Sequence, residues 1–266
     1  MEAKAHTTKG YHMKTTIRLV VLVLALALVA TACSSSGEDL GEIRVGVENA
    51  YTPFNFIDAS NDAVGFDYDI FEEICDRIGC TPVMVEAGWP AVLVETADGV
   101  YDVAADGISI TEERKATLDF SDPYMTTIQK LMVRNDESRF GNLQQFLDGD
   151  YRLGTQVGTT NFELGEELLG GIDRIDAYEQ FAVAVQGLIA GDVDAIIIDD
   201  VAGSGYLGVS TDQLRLLPDD LQSDPLGFAF PKDSEWKAKI NGAIADMKAD
   251  GTMDDLITEW FLEFEG

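Results

Sequence analysis

From Glu42 onward, short apolar runs alternate with stretches of helical periodicity, and this alternation constrains the fold more than any other feature of the chain. Short strands separated by amphipathic helices bury both faces of a sheet by βαβ winding, with parallel strands inside and helices outside. IRVGV (43–47) predicts the first strand. Residues 69–78 place Ile70, Phe71, Ile74 and Ile78 on one face, a helix that Gly79 ends. PVMVEA (82–87) predicts a second strand and YDVAADGIS (101–109) a third. A second series follows: a strand in RLGTQ (152–156), a helix from about Asn161, a helix over 180–190 and a strand in DAIIIDD (194–200). Later, Trp236, Ile240, Ile244 and Met247 share one helical face, Gly251 breaks the pattern, and a last helix carries Leu256, Trp260 and Phe261. Two such series within 266 residues predict two α/β lobes.

The N-terminal segment carries a different signal. Lys14 and Arg18 precede LVVLVLALALVA (19–30), twelve unbroken apolar residues. That run is too short for a membrane-spanning helix and suits the apolar core of an export signal. Thr31, Ala32 and Cys33 come next, then Ser34, Ser35, Ser36 and Gly37. Small residues before a cysteine and a polar linker after it look like a lipobox, with Ala30 standing where that pattern usually carries Leu. The expectation is a signal peptide over 1–32, lipidation of Cys33 as the first mature residue, and a linker over 33–41. The protein would then sit at the outer face of the cytoplasmic membrane or in the periplasm. Plain secretion with cleavage near Ala32 is the alternative.

Composition removes whole classes of chemistry. The only histidines are His6 and His12, both before the apolar run, so the mature chain has no Ser–His or Cys–His mechanism and no histidine metal site. Loss of the signal leaves 14 basic and 47 acidic residues, a net charge of −33 against −30 for the full chain. A phosphate backbone demands the opposite sign, which argues against nucleic acid. The acid excess suits a solvated surface for a saline habitat better than a partner-docking or cation-attracting face. Asp58-Ala-Ser-Asn-Asp62 lacks the spacing of a calcium loop, and neither metal nor cofactor is expected. Besides Cys33 there are two cysteines, Cys75 and Cys80. In an exported chain this pair can close a disulfide across a helix end, and two buried thiols are the alternative.

Several segments together resemble the solute-binding proteins of polar-amino-acid ABC importers. They are IRVGVENAYTPFNF (43–56), VGFDYDIFEEICDRIGC (64–80), YDVAADGISITEER (101–114), DFSDPY (119–124), LGTQVGTTNF (153–162), GDVDAIIIDD (191–200) and ADGTMDDLITEWF (249–261). The resemblance runs in order through nearly the whole mature chain. It implies a two-lobed, periplasmic-binding-protein-like α/β fold with two crossing hinge strands and a ligand in the interlobe cleft. By this analogy lobe one comprises 42–131 and 228–266, lobe two 136–224, and the hinges 131–135 and 225–228. It also implies a monomer that closes on a free amino acid and docks on a permease with a separate ATPase, since no Walker motif or spanning segment is present here.

Each cleft role has a chemical reason. A free amino acid brings a carboxylate, an ammonium and a side chain. Arg114 follows Ile110 and Thr111 at the start of a predicted helix and matches the family's carboxylate-binding arginine, a planar bidentate donor. Its alternative is a surface arginine paired with Glu112 or Glu113. The loop Gly158-Thr159-Thr160-Asn161 follows a strand and opens a helix, so it can present N–H groups and hydroxyls to an anion. By the resemblance, Thr159 and Thr160 cap the carboxylate, with Gln156 and Asn161 as neighbouring candidates. Asp199 ends a buried strand at the carboxyl edge of a sheet and matches the acid that binds the ammonium. Strand alternation sends Asp200 to the opposite face. Ser109 and the Gly107 backbone would add hydrogen bonds.

The side-chain pocket sets specificity. Tyr51 matches an aromatic that stacks on the ligand and Trp89 the opposite wall, although core packing is the commoner fate of such rings. Glu48 falls where relatives often carry an acid, and Asp106 where they usually carry a small residue. Two carboxylates between two aromatic faces suit a cationic side chain. The expectation is a basic amino acid, arginine before lysine or ornithine, with a neutral polar or acidic one as the alternative. Two other classes compete. A periplasmic lyase or hydrolase could work with carboxylates alone, but the acids here match binding positions. A sensory domain would continue into a membrane span and a signalling module.

Overall fold

The computed structural model describes residues 39–209 and 212–264, so the expected signal segment and Cys33 lie outside the described residues. Two sheets organise the chain. The first has the strand order Cys80–Glu86, Gly41–Val47, Val103–Ala104, Ala229–Phe230, Asp119–Phe120. Gly41–Val47 pairs in parallel with the strands on both its sides, the pairing that right-handed βαβ winding produces. The helix Phe66–Ile78 provides the crossover and buries Phe66, Ile70, Phe71 and Ile74. It starts three residues before the apolar periodicity does, with Asp67 and Asp69 in the first turn, where carboxylates complement the helix dipole. It stops at Gly79, whose φ of 80° is the left-handed cap and whose N–H reaches the carbonyl of Cys75. Just past that cap Cys80 is joined to Cys75 by a disulfide. The helix Trp236–Asp250 covers the same core with Ile240, Ile244 and Met247.

The second sheet has the order Ile175–Tyr178, Leu153–Gln156, Ala195–Asp199, Met125–Arg134, Leu214–Leu216, and Gln222–Leu226 also pairs with the long strand. Ala195–Asp199 is buried at every position, which is why it reads as an apolar run without alternation. The lobes are joined by two passes of the chain. It leaves the first sheet at Phe120 and enters the second at Met125, then returns between Leu226 and Ala229. The first crossing is thus earlier than the expected 131–135. The reason is pairing: residues 129–132 run antiparallel to Ala195–Asp199, which makes the whole of Met125–Arg134 part of the second lobe.

One further expectation is corrected. Residues 101–109 are not one strand: Val103–Ala104 pairs with the first sheet, the chain turns through Gly107 at φ 55°, and Ser109 makes an isolated antiparallel bridge to Leu226. A Cβ there would sit 3.0 Å from the Tyr51 ring, so the turn requires glycine. The stretch after Asp199 is the helix Asp200–Val209, which its glycines conceal from a propensity reading. Among the described residues no helix is long and apolar enough to cross a membrane.

Candidate functional site

Between the lobes lies a narrow cavity of about 30 Å³. Its lining contains Glu48, Tyr51, Trp89, Asp106, Gly107, Ser109, Arg114, Gln156, Thr159, Thr160, Asn161 and Asp199, together with Phe181. The first twelve are the positions singled out above. Phe181 is the addition. It opens the helix Phe181–Ala190, is nearly fully buried, and meets Tyr51 edge-on at 5.2 Å.

One end of the cavity is a set of donors. Thr111 accepts the N–H of Arg114 and caps the short helix Glu112–Lys115. The Arg114 guanidinium donates to the Ser109 carbonyl at 2.9 Å and to the Gly158 carbonyl at 3.3 Å, and lies 5.2 Å over the Trp89 ring. Burial pulls its pKa down, opposed by Glu163, Asp224 and Asp199. Facing it is the N-terminus of the helix Thr160–Leu169. Here the expectation for Thr159 needs correction. Its hydroxyl accepts from the Phe162 N–H at 3.1 Å and donates to the Gln156 carbonyl at 2.7 Å, so it is committed to the helix cap. What this turn offers the cavity is the Thr160 hydroxyl, 3.2 Å from that of Ser109, and first-turn N–H groups that have no carbonyl one turn back.

The other end is acidic. Asp199, the last residue of its strand, accepts from the Tyr51 hydroxyl at 2.8 Å and from the Asn161 amide at 3.5 Å. Burial pushes its pKa up to about 6. Asp200 turns away and accepts from Thr127 Oγ1 at 2.8 Å and the Ile128 N–H at 3.0 Å. Glu48 accepts from Gln156 Nε2 at 2.8 Å, a bond that crosses between the lobes. Asp106 accepts from Asn55 Nδ2 at 2.8 Å. The same nitrogen donates to Asp67, which is fully buried and keeps one oxygen unpartnered. Burial pushes both Glu48 and Asp106 upward; the charge of Asp106 raises Glu48 further, while Asn55 and Arg114 partly hold Asp106 down. Tyr51 also makes two contacts within the protein. One ring face stacks on Phe54 at 5.2 Å, and its hydroxyl reaches across to Asp199.

These carboxyls bias stability toward low pH. A carboxyl whose folded pKa lies above its unfolded value holds a proton that the unfolded chain releases. Its contribution is fully present below about pH 4 and is lost as pH rises through the folded value. Asp199 at about 6, with Glu48 and Asp106 also raised, places the loss above about pH 5. Ion-paired surface acids titrate lower: Asp250 is held at about 2 by hydrogen bonds from Arg77 and Thr252. The expected result is a melting temperature, without added amino acid, that falls by several degrees from about pH 5 to about pH 8. A temperature that rises over that interval would contradict the assignment of these three acids.

The model for bacterial extracellular solute-binding proteins, family 3, matches residues 43–263. The L-cystine-binding protein TcyJ of Escherichia coli is 28% identical over 90% of this chain and 93% of its own length. The histidine-binding periplasmic protein of the same species is 30% identical over 90% and 96%. The structure of the arginine-, lysine-, histidine-binding protein ArtJ from Geobacillus stearothermophilus superposes with a TM-score of 0.77 at 30% identity, over 83% of this chain and 95% of that one.

Proposed function

The chain belongs to family 3 of the bacterial extracellular solute-binding proteins, the amino-acid-binding receptors of ABC importers, and from that membership we propose that its cavity takes a basic amino acid, arginine before lysine or ornithine. The observation that carries this reading is the charge balance of the cavity lining: Glu48, Asp106 and Asp199 against Arg114 alone. Even with its carboxylate set against Arg114, a neutral amino acid offers one cation to three acids. A basic amino acid offers two, and a buried carboxylate without a cation is costly. Relatives named for arginine, lysine and histidine point the same way, and the one named for L-cystine points to a neutral amino acid.

The roles follow from the donors and acceptors. Arg114 has five N–H groups and spends two on carbonyls, which leaves a fork for the ligand carboxylate. The Thr160 hydroxyl and the first-turn N–H groups complete that end. Asp199, Ser109 and the Gly107 backbone take the ammonium. Glu48 and Asp106 take the side-chain cation, Trp89 and Tyr51 flank its stem, and Phe181 closes the apolar side. The first lobe carries most of these groups and binds first; the second then brings Thr160, Asn161 and Asp199 over the ligand. Contacts on both lobes favour the closed form, which the permease reads. The protein acts as a monomer, with the lipid on Cys33 holding it beside the permease and its separate ATPase.

The test is a thermal-shift panel of the twenty amino acids with ornithine and citrulline. Ligand that binds only the folded state raises the melting temperature by mass action. Shifts confined to arginine, lysine and ornithine are the expected result. Larger shifts with glutamine, glutamate or cystine would leave a receptor with a different side-chain pocket.

A further inference from the structure

Outside the cavity, the second lobe touches the first at a place that no ligand atom occupies in the reading above. The helix Asp200–Val209 begins one residue after Asp199. Its Gly205 is buried, and a Cβ there would stand 2.7 Å from Pro53 Cδ and 3.2 Å from Pro53 N. Tyr206 follows, 7% exposed, with its hydroxyl donating to the Ala50 carbonyl at 3.4 Å. The segment 50–53 of the first lobe is therefore gripped by two consecutive residues of the second. The same segment carries Tyr51, whose hydroxyl bonds to Asp199.

We propose that Gly205 and Tyr206 are positioning residues that seat Asp199 over the cleft by clasping the 50–53 segment. The argument rests on distance. Carbon atoms in contact stand about 3.5–4.0 Å apart, so a methyl group at 205 forces the helix and the loop apart by roughly 1 Å. Pro53 cannot yield as the end of a flexible chain would, because its ring and backbone nitrogen form the obstacle. An opening of that size takes the 2.8 Å bond between Tyr51 and Asp199 beyond hydrogen-bonding range. The acid assigned to the ammonium then stands out of reach although no cavity residue has been substituted. The role rests on the proposed amino-acid site, but the contact itself is independent of which ligand binds.

The test is Gly205→Ala, with Tyr206→Phe as the second variant. Alanine is the better helix former, so a purely structural role predicts an equal or higher melting temperature and unchanged binding. The clasp predicts an equal or higher melting temperature together with affinity for L-arginine and L-glutamine lowered by the same factor, roughly tenfold or more. Tyr206→Phe keeps the ring packing and is expected to speed release of both probes by an equal factor. If neither probe binds even the unaltered protein, the amino-acid reading fails separately. The clasp is then judged by crystal structures of the parent and of Gly205→Ala in the closed form, where the variant is expected to hold Tyr51 Oη beyond hydrogen-bonding range of Asp199. Wild-type affinity in Gly205→Ala, or a Tyr51–Asp199 bond kept in its closed crystal structure where no probe binds, overturns the proposal.

Discussion

Replacing Arg114 with alanine is expected to lower affinity for every α-amino acid by roughly a hundredfold or more, and lysine at that position to restore little of it. The guanidinium is already oriented before a ligand arrives. It is fixed by the Ser109 and Gly158 carbonyls and backed by the Trp89 ring, so binding a carboxylate costs little further ordering. Removing it strands the ligand carboxylate in a cavity whose other charged groups are Glu48, Asp106 and Asp199. Lysine supplies a charge but neither the planar fork nor the face that lies on Trp89. Asp106 responds as well, because Arg114 is the cation that opposes its upward shift. Calorimetric titration checks the loss. A reduction of only about twofold would place the carboxylate elsewhere in the cleft.

The double variant Glu48→Gln/Asp106→Asn is expected to move stability and affinity in opposite directions. Both carboxyls are buried, and each has an amide donor as its side-chain partner: Gln156 for Glu48 and Asn55 for Asp106. An amide accepts those hydrogen bonds through its carbonyl oxygen and removes the cost of burying charge. The melting temperature without ligand is therefore expected to rise by several degrees. Affinity for L-arginine is expected to fall roughly a hundredfold, since the guanidinium loses both counter-charges. Citrulline has nearly the shape of arginine without the charge, and its affinity is expected to change little. Equal losses for both ligands would mean that the two acids shape the pocket rather than read charge. Unchanged arginine affinity would remove them from the site.

Much of the site could be read from the chain because its residues sit at ends of elements, where patterns change. Asp199 is an example. An all-buried strand must end in a residue at the sheet's carboxyl edge, and alternation separates it from Asp200, which indeed turns to Thr127 and Ile128. No spacing rule connects Glu48, Asp106 and Gln156; only the family resemblance placed those distant segments in one cleft. Phe181 escaped notice because helical periodicity marks it as an ordinary core residue. Its position at the cavity depends on how the strand Ile175–Tyr178 delivers the first turn of the helix. The Asn55–Asp67–Asp106 cluster was invisible for a similar reason. Each residue is unremarkable in its own segment, and the shared amide nitrogen appears only when Phe66 and Asp67 donate their N–H groups to Pro53 and Asn55's neighbour Phe54. The misplaced crossing has a different origin. MTTIQKLMVR ends in the buried apolar run Leu131-Met132-Val133, and such a run does not say which sheet a strand joins. Thr159 shows the limit of motif reading: a hydroxyl in a βα turn serves the helix before it serves a ligand.

The central claim is that the cavity reads a positive charge at the ligand side chain, and the most direct measurement is calorimetric titration of the protein with L-arginine and L-citrulline near neutral pH. Binding a cation beside carboxyls that burial has raised releases protons, so the heat should vary with the ionisation enthalpy of the buffer. The account predicts arginine bound at least roughly a hundredfold more tightly than citrulline, with net proton release. Equal affinities with no proton release would contradict it.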